Sequence, residues 1–126
     1  MYGSIEQING LTIREVSGGW DDIRFKCTNG DEFVMEHRQS CCESVSIEDI
    51  TEGWKEILTG ATVVNAYEST NSNDPPPNSG YTPESYTWTF YRINTDKGTV
   101  VVRWYGTSNG YYSETAGFYK LGEIYW

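Results

Sequence analysis

Three residues stand out for the chemistry they could do. His37 is the only histidine of the chain, and Cys41 and Cys42 follow it at a spacing of His-x3-Cys-Cys. Imidazole and thiolate are the ligands zinc prefers, and structural zinc sites use four of them. A tight turn after His37 can bring its ring and a thiolate to one ion. Both cysteines ligate only if the backbone turns there, because adjacent side chains on an extended strand point apart. The fourth ligand is open: Asp21 is the leading candidate, and Asp22 and Glu43 are alternatives. Cys27 is a poor one, because the hairpin described below separates it from His37 by about 20 Å at ~3.4 Å per residue. The plainer readings are a hydrogen-bonded histidine at a strand end with two small buried thiols, or a vicinal disulfide or reactive thiol at the cysteine pair.

The same residues are the only material for a cysteine hydrolase, with His37 as base and Cys41 or Cys42 as nucleophile. The spacing is too short for familiar scaffolds, and no oxyanion-hole loop is evident. The acidic pairs Asp21-Asp22 and Glu48-Asp49 read as solvated surface, since adjacent residues on a strand point oppositely. No phosphate-binding glycine loop or dinucleotide fingerprint is present. The expectation is therefore a protein that binds rather than an enzyme.

The elements that must position these residues are mostly strands. A short run around Leu11, Ile13 and Val16 stops at Gly18-Gly19. Ile23, Phe25 and Cys27 then alternate with polar residues, as do Phe33 and Met35 after Thr28-Asn29-Gly30, the period-two pattern of half-buried strands. A two-residue loop would set Met35 against Arg24. A three-residue loop, Thr28 to Gly30, pairs Phe25 with Phe33 and Ile23 with Met35. That aligns the apolar faces and gives Gly30 the left-handed position, and it places His37 opposite Asp21. Val45 and Ile47 form a further strand. Ile50, Trp54, Ile57 and Leu58 have the spacing of one helix face, with Asp49 or Thr51 as cap and Gly60 as stop. Ala61–Glu68 reads as a strand. Residues 71–83, with all four prolines, read as a flexible surface loop. Ser85–Asn94, Thr99–Tyr105 and Tyr111–Lys120 read as a C-terminal β-meander. It holds most of the 13 aromatic residues, of 19 in the chain, that lie from Tyr81 onward; these serve as core and cross-strand ladder rather than as a stacking platform. The expected fold is a single α+β domain over residues 1–126: a mainly antiparallel sheet, hairpin plus meander, with one short helix packed on it.

Length and charge limit the partners. The 126 residues carry nine Lys and Arg against 18 Asp and Glu, a net charge of −9. This disfavours direct nucleic-acid binding, which draws on Lys and Arg. No apolar run approaches the ~20 residues of a membrane span, and the N-terminal residues lack the pattern of a secretory signal. An odd count of three cysteines points to a reducing compartment with thiols free or metal-bound. The charge is uneven. Asp31–Glu56 holds eight acids against Arg38 and Lys55, six of the nine net negative charges. Such a face can steer onto a basic protein groove, with Glu43, Glu48, Asp49, Glu52 and Glu56 as its contacts. Tyr111 and Tyr112, beside the Ser108-Asn109-Gly110 turn, are the expected aromatic anchors.

Two segments carry a likeness. His37-Arg-Gln-Ser-Cys-Cys-Glu-Ser-Val-Ser-Ile-Glu-Asp-Ile50 resembles a pattern H-x-Q-D-C-C-E-x-V-x-I-E-D-I. The second runs from Thr87-Trp-Thr-Phe-Tyr through Lys97-Gly98 to Arg103-Trp-Tyr-Gly-x-Ser-Asn-Gly-Tyr-Tyr-Ser-Glu114. Together they resemble an uncharacterised family of small proteins of phage, prophage and bacterial genomes; Ser40 stands where that family has Asp. The resemblance implies a mobile-element setting and the cytoplasm of a bacterial host, and no reaction. Some small acidic phage proteins inhibit host defence nucleases, so by analogy the expected role is anti-CRISPR-like inhibition by protein contact, with zinc as a structural cofactor. The alternatives are a small Cys/His-dependent enzyme and a virion or plasmid structural component.

Overall fold

The computed structural model describes residues 4–19, 21–38, 42–75, 84–110 and 113–121. A 3₁₀ turn, Ile5–Ile8, precedes strands β1 (Ile13–Gly18), β2 (Asp22–Cys27), β3 (Glu32–Glu36) and β4 (Ser44–Ile50). A one-and-a-half-turn helix, α1 (Trp54–Leu58), is followed by β5 (Val63–Asn71), β6 (Ser85–Thr95), β7 (Gly98–Ser108) and β8 (Gly117–Lys120). The strands form two four-stranded antiparallel sheets, ordered β1-β2-β3-β8 and β4-β7-β6-β5. The α+β class and the antiparallel pairing are as the sequence implies. The expected single sheet is two, and they share one core.

The β2–β3 hairpin has the predicted register: Phe25 faces Phe33 and Ile23 faces Met35. Cys27 N–H bonds the Asp31 carbonyl at 2.9 Å, leaving Thr28 to Gly30 as the loop, and Gly30 takes φ 95°. Ile23, Phe25, Phe33 and Met35 from this sheet, and Tyr91, Ile93, Val100, Val102 and Trp104 from the other, are all buried in one cluster. Burying a large apolar side chain contributes roughly 1.5–3 kcal/mol, so each sheet supplies the surface the other needs.

Two expectations are corrected. The third strand of the meander does not pair with β7. That edge of β7 is taken by β4, and β8 joins the first sheet beside β3. There Phe118 packs 5.6 Å from Phe25 and 5.5 Å from Phe33, centroid to centroid. The helix is also shorter than its apolar spacing suggests. Ile50 still pairs with Val102 in the β4–β7 ladder, and Thr51 extends that edge, its N–H bonding the Val101 carbonyl at 3.1 Å. Thr51 Oγ1 accepts from Val101 N–H at 2.8 Å and is not a helix cap. Gly53, at φ 75°, makes the left-handed break after which α1 begins. At its far end the helix is tied by Lys97, whose ammonium donates to the carbonyls of Glu56 and Thr59 at 2.9 and 2.6 Å.

Candidate functional site

His37 lies just past β3, and Glu43 just before β4. Their side chains are 5% and 0% exposed. His37 Nδ1 is 2.9 Å from the Thr115 carbonyl oxygen, and Nε2 is 2.8 Å from Glu43 Oε2. A carbonyl only accepts, so Nδ1 carries a proton. The Nε2–Oε2 contact then holds one further proton, on either atom. The pair is an imidazolium with a carboxylate or a neutral imidazole with a carboxylic acid, and in both states its net charge is zero. That neutrality is what allows two ionisable groups to be buried together.

One residue before Thr115, Glu114 is buried and accepts from Thr87 Oγ1 at 2.8 Å and from Ser108 Oγ at 2.5 Å. Ser108 Oγ in turn accepts from Gly110 N–H at 2.9 Å. A Cβ at Gly106 would stand 2.0 Å from the Glu114 carbonyl oxygen, so the approach of this loop to β7 requires glycine. The two sequence segments that carried the likeness therefore meet: His37 of the first, itself bonded to Glu43, bonds the Thr115 carbonyl next to Glu114 of the second. Glu114 and Thr115 were missed as site residues. The only available signal was the conjunction of Gly106, Ser108 and Glu114 in one motif.

A cleft of about 250 Å³ opens beside this junction, lined by His37, Arg38, Ser113, Thr115 and Tyr119 among others. The Arg38 guanidinium lies 4.4 Å above the Tyr119 ring and is paired with Glu36 at 3.3 Å.

Of the expected metal ligands, His37, Cys42 and Asp21 lie among the described residues and are not grouped there. Both nitrogens of His37 have partners, Cys42 is disulfide-bonded and exposed, and Asp21 is exposed; Cys41 lies outside the described residues. Among the described residues no three His, Cys, Asp or Glu side chains are grouped to hold an ion. As placed, Cys42 offers a disulfide sulfur and not a thiolate. The disulfide at Cys42 departs from the expectation of a free or metal-bound thiol there. Cys27 is free and buried.

Of the expected contact acids, Glu48, Asp49, Glu52 and Glu56 are exposed. They run from the end of the edge strand β4 into α1, and Asp49 is 3.3 Å from Arg103. Glu43 is not among them, because its carboxyl is turned inward onto His37. Tyr111 and Tyr112 lie outside the described residues, as do residues 76–83 of the proline-rich loop.

A family model described as a domain of unknown function, DUF7448, matches residues 6–118. The chain belongs to this family. The match spans both motif segments, the buried His37–Glu43 pair and every strand up to the start of β8. No curated protein and no solved structure is significantly similar to the chain. No helix among the described residues is long and apolar enough to cross a membrane.

Proposed function

We propose that this member of the DUF7448 family is a binding protein that acts by contact, presenting Glu48, Asp49, Glu52 and Glu56 to a basic protein surface. One observation carries the reading: these four carboxylates are all exposed and follow one another along a sheet edge and the adjoining helix. Clustered exposed charge of one sign raises association rates with a surface of opposite sign and selects against acidic partners. A nucleic-acid channel is a common basic groove. With the mobile-element likeness, the partner class we infer is a bacterial defence nuclease such as a CRISPR effector, met in the host cytoplasm by a phage-encoded inhibitor.

Affinity capture from a host lysate tests this, followed by binding of the purified pair at two salt concentrations. The expected result is recovery of a basic nuclease, with affinity that falls as salt rises and is lost when the four acids are neutralised together. Capture of no nuclease, or binding indifferent to both changes, overturns the reading.

Structural zinc, on this reading, belongs to the reduced chain alone. A disulfide and a zinc ion are mutually exclusive uses of Cys42, and a metal-bound His37 must give up Glu43 or Thr115.

A further inference from the structure

Alternate residues of β6 and β7 face opposite ways. Tyr91, Ile93, Val100, Val102 and Trp104 join the shared core. Tyr86, Trp88, Phe90, Arg103 and Tyr105, one residue out of phase, stand on the outer face of the second sheet. Trp88 is outside the core cluster yet only 2% exposed. Its ring centroid lies 4.8 Å from that of Tyr105 and 6.1 Å from that of Phe90. Tyr86 meets Tyr105 at 5.9 Å, and the Arg103 guanidinium sits 4.8 Å over the Trp88 ring. The result is a four-ring patch with a cation at its side. Tyr86, Phe90 and Tyr105 remain half-exposed.

The indole N–H of this patch has a specific partner. Trp88 Nε1 donates to the carbonyl of Pro75 at 3.2 Å. Pro75 is delivered by a turn in which Asn71 Oδ1 accepts from the N–H groups of Asn73 and Asp74, both at 3.0 Å. Pro75 is also the first of three consecutive prolines. Polyproline sequences favour an extended left-handed helix with no internal hydrogen bonds, so their carbonyls are free to accept. Aromatic-lined surfaces bind such segments at little entropic cost, because the ligand is already ordered.

We propose that the outer face formed by Tyr86, Trp88, Phe90 and Tyr105 binds a proline-rich peptide segment in the polyproline conformation, with Trp88 Nε1 reading a carbonyl that the chain's own Pro75 supplies in the free protein. An external proline-rich partner competes with Pro75 for this donor, so its apparent affinity is reduced by the fraction of molecules in which the site is self-filled. Single-stranded nucleic acid and glycans also stack on aromatic faces. The net charge of −9 opposes the first, and the bond to a proline carbonyl favours a peptide over both.

The test uses the full chain labelled with ¹⁵N, with the Trp88 indole resonance assigned by its loss in Trp88→Phe. Decaproline is titrated into the wild type and into a variant combining Pro75→Ser, Pro76→Ser and Pro77→Ser. The expected result is a shift of the Trp88 indole resonance in both, with affinity a few-fold higher in the serine variant: residue 75 keeps its backbone carbonyl there, but the segment no longer favours the polyproline conformation, so its self-competition is weakened. Trp88→Phe, which keeps an aromatic ring and drops the donor, binds about fivefold more weakly when followed by the backbone amides of β6, the worth of one hydrogen bond. Should that variant fold poorly, Tyr86→Ala, at the start of β6, gives the same readout of weakened binding. The proposal is overturned if decaproline leaves the Trp88 resonance of the serine variant unmoved. It is equally overturned if that variant binds no tighter than the wild type, or if a glycine-serine peptide, an oligothymidylate or an oligosaccharide moves the resonance as well as decaproline does.

Discussion

His37 and Glu43, the first and last of the seven residues that link β3 to β4, meet through a 2.8 Å contact of side chains that are 5% and 0% exposed. His37 also bonds the Thr115 carbonyl, so the pair joins the end of β3, the start of β4 and the approach to β8 at one point. Removing one member strands the other. Glu43→Ala is expected to cost about 3 kcal/mol, in the range for breaking a buried pair. Glu43→Gln, which can still accept from an Nε2–H, should cost less. Urea unfolding of both variants, in a double-mutant cycle with His37→Ala, measures this. Equal, small losses would show that the contact is not coupled.

Gly106→Ala should be among the most damaging small substitutions. The added methyl would stand 2.0 Å from the Glu114 carbonyl oxygen, so β7 and the Glu114 loop must separate. Overpacking of this kind costs about 1–3 kcal/mol, and here it also breaks the Ser108 and Thr87 bonds to a buried carboxylate. A thermal melt reads the loss.

Lys97→Met tests the end of α1. The ammonium bonds two carbonyls that the helix leaves unpaired, and a cation at that end is worth about 0.3–1 kcal/mol. The expected signature is faster amide exchange in Trp54–Leu58 and a small drop in melting temperature, with both sheets unchanged.

Cys27 gives a pH dependence of known sign. Burial first, and the nearby Asp31 carboxylate second, push its thiol above the ordinary value of 9.0. The folded chain thus holds the thiol proton more tightly than the unfolded one. The stabilisation this linkage provides is complete below the unfolded value near 9.0 and is lost as pH rises through the folded one. Native Cys27 should resist alkylation at pH 8 and react on unfolding, as site-resolved mass spectrometry would show. Cys27→Ala should flatten the alkaline loss of stability.

Zinc uptake should depend on redox state. Elemental analysis is expected to find no stoichiometric metal in the oxidised protein, where Cys42 is in its disulfide. If the reduced protein takes up zinc, His37→Ala should abolish it. Stoichiometric zinc in the oxidised protein would show that the metal does not need the Cys42 thiolate.

The β2–β3 hairpin, its three-residue loop and its register were legible from sequence, because a turn and two alternating strands are local and one choice aligns both apolar faces. The acidic run Glu48–Glu56 was legible too, since charge is a property of composition. Three things were not. Thr87-Trp-Thr-Phe-Tyr91 is bulky on both faces, so its alternation does not reveal that Tyr91 turns into the core while Trp88 turns out to Pro75. The sheet that β8 joins depends on Phe118 reaching Phe25 and Phe33, more than 80 residues away in the chain. Glu43 counted as a surface acid until the fold set it against His37. Local pattern determined what each segment is. Only the packing of the two sheets decided which face each side chain presents and which distant residue it meets, because those choices are made by burial shared between segments and not within any one of them.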